Sequence, residues 1–145
     1  MFLPTLREEI SQGDVFDGLV YRYVYDEPSA PEPVLRSRVI RAMLITADCE
    51  FDKPGSAYVY LGEVRPLSEI SPGTRGNVRS RRVFYTFPLD LNDALPEESY
   101  VDFRRILRFD KGRVGLADPT RLLSLTDVAR MALQEQIALF FGLAR

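Results

Sequence analysis

The sequence predicts a mainly β protein: a small, strongly bent antiparallel β-barrel of about five strands with an α-helix at its C-terminal end. Segments rich in valine, isoleucine and aromatic residues recur from Gly13 to Phe109, and only polar connections separate them. After Ser124 the spacing of the apolar residues changes from alternation to a helical period. Because no helical crossover lies between the strands, their pairing should be mainly antiparallel.

The first two predicted strands flank a proline-rich loop. Residues 13–25 carry valines and tyrosines between turn-forming glycines and predict a strand or an interrupted pair of strands. Prolines between residues 28 and 33 cannot donate to a ladder and predict a loop. From Leu35 to Ala47 both alternating sets of side chains are largely apolar, so this strand should be central and buried.

Three further strands complete the predicted barrel over about residues 12–110. Residues 56–64 and 82–89 are β-rich and are joined by a polar connection that contains Pro72, Gly73 and Gly76. Residues 99–109 combine aromatic and branched side chains in a pattern that predicts a strand with a bulge.

The last element is an amphipathic helix predicted over about residues 125–141. Ser124 can act as its N-cap, and Asp127 places a carboxylate in the first turn. One stripe of the helix should face the sheet; it contains Val128, Ala132, Leu133, Ile137 and Phe140. Phe141 projects off that stripe and belongs either to a wide buried face or to a partner contact. An SH3-like barrel with a helix packed on it is the simplest architecture for these elements.

Composition limits the chemistry. A chain of 145 residues is expected to form a single domain, 1–145, and it contains no apolar run long enough for a membrane helix and no signal-peptide pattern, so a cytoplasmic location is expected. The chain has one cysteine and no histidine, which excludes internal disulfides, catalytic triads with histidine and imidazole metal ligands. We expect no cofactor. The net charge of −2 argues against a broad cationic surface but leaves a local basic patch open.

Several short motifs resemble one family. "QGDVF" (Gln12–Phe16) and "RAMLIT" (Arg41–Thr46) resemble opening strands of the MazF/PemK toxin superfamily of bacterial endoribonucleases, which are small SH3-like barrels. "ITADCEFD", "RPLSEI", "YVDFRRI" and the terminal "LLSLTDVARMALQEQIALFFG" resemble uncharacterised bacterial proteins with a Cys-acidic motif and a C-terminal helix.

The resemblance implies a toxin-antitoxin or defence role, a homodimer, and metal-independent cleavage of RNA with the 2′-hydroxyl as nucleophile. Carried over by position, Arg41 would stabilise the phosphorane charge, and Ser68 or Thr46 would assist by hydrogen bonding. The sequence differs from the family pattern at Ala42, where a proline is usual, and at Arg65, near the expected hydroxyl.

The motif "ADCEFDKPG" (residues 47–55) predicts the polar end of a buried strand followed by a turn at Pro54 and Gly55. Cys49 lies between two carboxylates, which raise a thiol pKa, so it should be a half-buried structural thiol and not a nucleophile. Acidic residues stand at alternate positions 48, 50 and 52, as they do at the start of a calcium-binding loop. The glycine and the closing carboxylate that such a loop requires are missing. No metal site is predicted.

The remaining candidate site is basic. Arg65, Arg75, Arg79, Arg81 and Arg82 lie on or beside a glycine-containing loop and could bind RNA phosphates; a solvated loop is the alternative. Tyr58, Tyr60, Phe84 and Tyr85 could stack on unpaired bases, although a core position is favoured. A second basic group, residues 104–113, is expected to form surface salt bridges.

Two functions therefore stand as hypotheses. The first is a barrel that binds single-stranded RNA, with endoribonuclease activity as an added step. The second is a catalytically inert module of the same fold that binds a protein partner, such as an antitoxin or regulatory protein. Both readings allow a homodimer.

Overall fold

A computed structural model describes residues 1–142. These residues form six strands and four α-helices. The strands are β1 (Val15–Tyr25), β2 (Val34–Leu44), β3 (Tyr58–Pro66), β4 (Thr86–Leu89), β5 (Ser99–Asp110) and β6 (Arg121–Leu123). The helices are α1 (Asp48–Phe51), α2 (Pro72–Arg79), α3 (Lys111–Leu116) and α4 (Asp127–Phe140), with 3-10 turns at Leu67–Glu69 and Asp118–Thr120.

All strand pairs are antiparallel and belong to one sheet in the order β4-β5-β3-β2-β1-β6. The mainly β fold, the antiparallel pairing and the C-terminal helix are therefore confirmed. The expected five strands are corrected to six, because the three-residue strand β6 was too short to stand out in the sequence. Within residues 1–142 no pairing joins the edge strands β4 and β6, so the sheet is open and barrel closure is not shown.

The prediction for the second strand was only half correct. β2 is central, as expected, but its burial is confined to the end near Leu44, and Val34 to Val39 are exposed. The reason is local pairing: β3 pairs with β2 only from Ala42 to Leu44, so the outer part of β2 pairs with β1 alone. β1 and β2 thus continue beyond the sheet as a two-stranded arm.

The sheet has a hydrophobic core on each face. One core includes Met43, Ile45, Phe87 and Val101 and is covered by α4 through Leu133. The other includes Phe16, Ile40 and Leu44 and packs against Val114 of α3. α4 therefore covers one face of the sheet, as the sequence predicted.

The N-terminus of α4 differs in detail from the prediction. Its N-cap is Thr126, whose Oγ1 accepts a hydrogen bond of 3.2 Å from the backbone N–H of Ala129. Ser124 does not cap the helix, because its Oγ accepts from the backbone N–H of Arg7. Val128 was expected on the buried stripe but is exposed.

The polar connection between β3 and β4 is largely helical. Residues 72–79 form α2, with Pro72 in its first turn, where the missing N–H of proline costs nothing. Val78 anchors this helix against Leu67 and Tyr100 in a third small apolar cluster. The glycines at 73 and 76 lie inside the helix, which is why the sequence pattern suggested a loop.

A buried ion pair fixes the N-terminal segment. Arg121 of β6 donates from Nη1 to Oδ2 of Asp14 at 2.8 Å, and it also donates to the backbone oxygens of Arg7 and Glu9. Burial raises the pKa of Asp14 above its usual value, and the hydrogen bond from Arg121 only partly offsets this. Among the helices of residues 1–142, none has both the length and the apolar character to cross a lipid bilayer.

Candidate functional site

A cavity of about 530 Å³ opens where α4 ends over the sheet. The end of β2, the middle of β3, the bulged part of β5 and the last turns of α4 surround it. Most of its walls are apolar: Ile45, Ala47, Phe103, Ile106, Ile137 and Phe141. Four polar side chains, Gln12, Thr46, Tyr60 and Arg104, also reach it. An apolar cavity with a few convergent polar groups is the usual form of a ligand site.

A bulge in β5 creates this opening. Gly62 pairs with Ile106 and Val64 with Val101, so a single residue of β3 faces residues 102–105 of β5. The strand must bend away from β3 over these residues, as the sequence predicted for this segment. Gly62 is required at the start of the bulge because a Cβ there would lie 2.2 Å from Cγ1 of Val101.

The bulge presents Arg104 at the rim of the cavity. Its Nε and Nη2 donate to the two oxygens of Asp102 at 3.1 and 2.8 Å, and its guanidinium lies 3.7 Å from the ring centroid of Tyr85. Burial alone would raise the pKa of Asp102, but the bonds from Arg104 outweigh it and lower that pKa. Arg104 is thus held in place as a cation, and within residues 1–142 its Nη1 makes no hydrogen bond.

Aromatic side chains surround the same opening. Tyr58 and Tyr60 on β3 and Phe84 before β4 are each half-exposed, so the expectation that they belong to the core was wrong. The guanidinium of Arg108 lies 4.4 Å from the ring centroid of Tyr58. We refer to the exposed residues Tyr58, Tyr60, Phe84, Arg104 and Arg108, together with the half-buried Tyr85, as the aromatic–arginine surface.

Strand alternation brings these residues together. Tyr58 and Tyr60 are two apart on β3, and Tyr60 pairs with Arg108 of β5, so all three lie on one face of the sheet. Phe84 stacks on Phe140 of α4 at 6.3 Å between centroids, which joins α4 to this surface. α4 covers the neighbouring part of the face but leaves this corner open.

The polar floor of the cavity is held by hydrogen bonds. Gln12 donates from Nε2 to the backbone oxygen of Ile45 at 2.7 Å and accepts from Gln134 at 3.0 Å. Thr46 accepts from the backbone N–H of Tyr60 at 2.8 Å, and its hydroxyl hydrogen has no acceptor among residues 1–142. A bound ligand can accept a hydrogen bond from this hydroxyl.

The predicted catalytic residues lie in different places. Thr46 lines the cavity. Ser68 is exposed in a 3-10 turn beside α2, where it lines a separate pocket with Arg75 and Arg79. Arg41 lies on β2 with its Nε 3.5 Å from Oδ1 of Asp17. The structure therefore does not bring Arg41, Ser68 and Thr46 into one site.

Two of the five predicted RNA-binding arginines form ion pairs with carboxylates of the chain. Arg65 binds Glu69 and Glu63, and the first of these bonds raises its pKa. Arg79 donates to both carboxylate oxygens of Glu98 at 2.7 and 3.2 Å.

The other three of these arginines differ from one another. Arg75 donates to the backbone oxygens of Ser68 and Ile70 at 2.9 and 2.8 Å. Arg81 and Arg82 are exposed and form no ion pair within residues 1–142. A phosphate would therefore meet two unpaired cations here, in place of the five that the sequence suggested.

The Cys-acidic motif is mainly structural. Asp48, the first residue of α1, accepts from the backbone N–H of Gln12 at 2.6 Å and from Arg130 at 2.9 Å, so it ties α1 to the segment before β1 and to α4. Cys49 is exposed on α1 and not half-buried as expected. The turn at Pro54 and Gly55 is confirmed, with Gly55 at a φ of 86°. No group of three acidic or thiol side chains in residues 1–142 is placed to hold a metal ion.

No protein-family model matches the chain, and no curated protein matches it. The resemblance to the MazF/PemK superfamily therefore stays a prediction.

Proposed function

We propose that the protein binds single-stranded RNA through the aromatic–arginine surface and the cavity beside it. The observation that carries this proposal is the exposure of Tyr58, Tyr60 and Phe84 next to Arg104 and Arg108. Unpaired bases stack on exposed aromatic rings and on guanidinium planes, whereas base-paired strands cannot. The cavity has room for one unstacked base, and Arg108, which pairs with Tyr60 across the strands and has no carboxylate partner within residues 1–142, can meet a phosphate.

The charge distribution supports recognition of a single strand over a duplex. The net charge is −2, so binding cannot depend on a wide cationic field. Stacking contributes about 1–3 kcal/mol per base and needs only a few rings. Arg108 has no carboxylate partner among residues 1–142, and its charge is therefore available to the RNA backbone.

Binding without cleavage is the form of the proposal that the placement of these residues favours. Endoribonuclease activity by Arg41, Ser68 and Thr46 would need these side chains around one phosphate, and they lie in separate places. An SH3-like barrel of the MazF/PemK kind remains our proposal for the fold family. The antiparallel sheet and the motifs at Gln12–Phe16 and Arg41–Thr46 support it.

The test is fluorescence anisotropy with a labelled single-stranded oligoribonucleotide in the presence of a chelator. Replacing Tyr58 by alanine should raise the Kd about 5- to 150-fold, the equivalent of one lost stacking contact. The matched control is Tyr25→Ala, because Tyr25 is also exposed and carries an arginine, Arg36, at 4.2 Å from its ring centroid. Tyr25 lies on the two-stranded arm and should not affect binding.

Two results would contradict the proposal. One is the absence of RNA binding by the unaltered protein at about 100 μM, where even non-specific nucleic-acid binding is usually detected. The other is an equal loss of affinity in Tyr58→Ala and Tyr25→Ala. The same samples run on a denaturing gel test cleavage, for which intact RNA is the expected result.

The inert protein-interaction module is a second candidate function. It is favoured by one observation, namely that Val128, Met131 and Leu139 point outward from α4 and are exposed. A partner that binds there should lose affinity for a Val128→Asp variant but not for Tyr58→Ala, as measured by calorimetry with the purified pair.

A further inference from the structure

One carboxylate stands beside the exposed tyrosines of the aromatic–arginine surface. Glu50, in the short helix α1, lines a pocket of about 430 Å³ together with Tyr58 and Tyr60 of β3. The remaining walls of this pocket come from small side chains: Thr46, Ala47, Ser56 and Ala57. Thr46 and Tyr60 also line the cavity at the end of α4, so the two openings are neighbours. We call the new opening the Glu50 pocket.

The acidic residues on either side of Glu50 in the Cys-acidic motif are placed differently. Asp48 accepts hydrogen bonds from the backbone N–H of Gln12 and from Arg130. Asp52 lines another pocket, away from the tyrosines. Glu50 is exposed and forms no ion pair within residues 1–142, so both of its carboxylate oxygens can accept hydrogen bonds from a ligand.

A carboxylate on a surface that binds RNA has a cost, because it repels every phosphate that approaches it. It becomes favourable only where the RNA brings hydrogen-bond donors to it. A phosphate offers no donor, and a ribose 2′-hydroxyl offers a single one. Two donors side by side, which a carboxylate binds with both oxygens, are found on the edges of bases. Glu50 is therefore placed to contact a base and not the backbone.

Guanine is the base whose Watson–Crick edge fits a carboxylate. Its N1–H and its 2-amino group are adjacent donors, and the two oxygens of a carboxylate can accept from both at once. Adenine and cytosine each offer one amino donor beside a ring nitrogen that is an acceptor, and uracil offers one N–H between two carbonyl oxygens. With these bases the second carboxylate oxygen would face an acceptor and be repelled.

Thr46 supplies the remaining contact for guanine. Its Oγ1 accepts from the backbone N–H of Tyr60 at 2.8 Å, and its hydroxyl hydrogen has no acceptor among residues 1–142. Thr46 and Glu50 line the same pocket, which therefore offers one donor and two acceptors. The Watson–Crick edge of guanine presents the complement, with O6 as acceptor followed by two donors. The half-exposed rings of Tyr58 and Tyr60 provide the stacking surface for the base.

We infer that the Glu50 pocket selects guanine in single-stranded RNA, with the carboxylate of Glu50 accepting from N1–H and the 2-amino group and the hydroxyl of Thr46 donating to O6. This inference rests on the proposed binding of RNA and adds the base that the surface prefers. Arg108, whose guanidinium lies 4.4 Å from the ring centroid of Tyr58, offsets the charge of Glu50 for the neighbouring phosphates.

The test uses fluorescence anisotropy with four labelled oligouridylates that differ in one central base: guanine, hypoxanthine, adenine or uracil. The unaltered protein should bind the guanine oligomer about 5- to 150-fold more tightly than the adenine oligomer, the range for one bidentate base contact. Hypoxanthine keeps O6 and N1–H but lacks the 2-amino group. Its oligomer should therefore bind with intermediate affinity.

Glu50→Ala removes the carboxylate from an exposed position and should abolish the preference, so that all four oligomers bind with about equal affinity. The matched control is Asp52→Ala. It removes an exposed carboxylate of the same motif that forms no ion pair within residues 1–142 and lies outside the Glu50 pocket. This control should keep the preference for guanine. Circular dichroism checks that both variants are folded.

The outcomes separate this inference from the proposed function. Equal affinity of the unaltered protein for all four oligomers overturns guanine selection and leaves RNA binding standing. A Glu50→Ala variant that keeps the guanine preference also overturns it. If that variant binds all four oligomers more tightly by the same factor, Glu50 acts only by repelling phosphate. Failure of every oligomer to bind overturns the proposed function, and guanine selection with it.

Discussion

Replacing Arg121 by methionine is the sharpest test of the structure. The substitution keeps the length of the side chain but removes the guanidinium that binds Asp14, and with it the bonds to the backbone oxygens of Arg7 and Glu9. Asp14 is fully buried, and its Oδ1 already has no hydrogen-bond partner. The variant therefore leaves a buried carboxylate with no cation beside it.

The size of the effect follows from this burial. Removing one partner of a buried ion pair usually costs about 3–5 kcal/mol, because the other charge stays in a medium that solvates it poorly. The backbone oxygens of Arg7 and Glu9 are near the surface, so water replaces their lost donors at little further cost. A loss of about 3–5 kcal/mol is a large part of the 5–15 kcal/mol that stabilises a typical domain.

The assay is urea denaturation of the unaltered protein and the variant at several pH values. Burial raises the pKa of Asp14 above its ordinary value, and Arg121 opposes that rise. In Arg121→Met the pKa of Asp14 should rise further, so the folded variant takes up a proton at a higher pH than the unfolded chain does. The stability deficit should be complete at neutral pH and should shrink as the pH falls through the raised pKa.

A double variant separates the ion pair from general damage. Asp14→Asn combined with Arg121→Met removes both charges, so its loss of stability should be clearly smaller than the sum of the two single losses. Additive losses would show that the two side chains do not interact. A loss below about 1 kcal/mol for Arg121→Met alone would show that the pair is solvated, in conflict with its burial.

Four further substitutions test other parts of the fold by chemical denaturation. Gly62→Ala places a Cβ 2.2 Å from Val101 and should lower the free energy of unfolding by about 1–3 kcal/mol. Gly76→Ala is the matched control, because a Cβ there has nothing within 4 Å and should stabilise α2 by about 0.5–1 kcal/mol. A Gly62→Ala variant as stable as the unaltered protein would contradict the close packing of the bulge. Thr126→Ala removes the N-cap of α4 and should cost about 1 kcal/mol, and no loss would place the cap elsewhere. Asp102→Asn should cost about 1 kcal/mol at pH 7, because the lowered pKa of Asp102 stabilises the fold above the unfolded pKa of 3.8. That cost should vanish as the pH falls through the lowered pKa, and a cost that does not depend on pH would exclude the charge as its source.

Alternation and helical period were sufficient to predict most of the regular elements. β5 was predicted with its bulge, because Tyr100, Val101, Phe103 and Ile106 cannot all alternate with polar residues on a straight strand. α4 was predicted from its apolar period, but that period contains two apolar stripes. The sequence alone could not show which stripe faces the sheet, so Val128 was placed on the wrong side.

Two features that were missed, strand β6 and the exposure of Val39, depend on contacts distant in the sequence. β6 is only three residues long and exists because Leu123 pairs with Val15 and because Arg121 reaches Asp14. Pairing also explains the exposure of Val39, whose neighbours in the sequence are typical of a core strand. β3 pairs with β2 only from Ala42 to Leu44, so Val39 lies beyond the last paired residue and is exposed. The β-propensity of single residues cannot predict which strands pair or where a pairing ends.

The candidate site was predicted only in part for a similar reason. Tyr58 and Tyr60 were named as a stacking surface, but the core was preferred because aromatic strand residues are usually buried. Some of the cations at residues 104–113 were expected to form salt bridges, as Arg104 does with Asp102, whereas Arg108 lies over the ring of Tyr58. The sequence did show that the two tyrosines lie on one face of β3, because they are two residues apart. It could not show that Arg108 lies beside them, because this requires β5 to be the neighbouring strand.

The buried ion pair also bears on the proposed RNA site, because it holds the turn at the floor of the cavity. Asp14 accepts hydrogen bonds from the backbone N–H of Ser11 and from Arg121, and the nearby Gln12 donates to the backbone oxygen of Ile45. Loss of RNA binding in Arg121→Met is therefore expected, although Arg121 is not part of the aromatic–arginine surface. Tyr58→Ala alters neither the ion pair nor the floor of the cavity, so its effect on binding tests the aromatic–arginine surface separately.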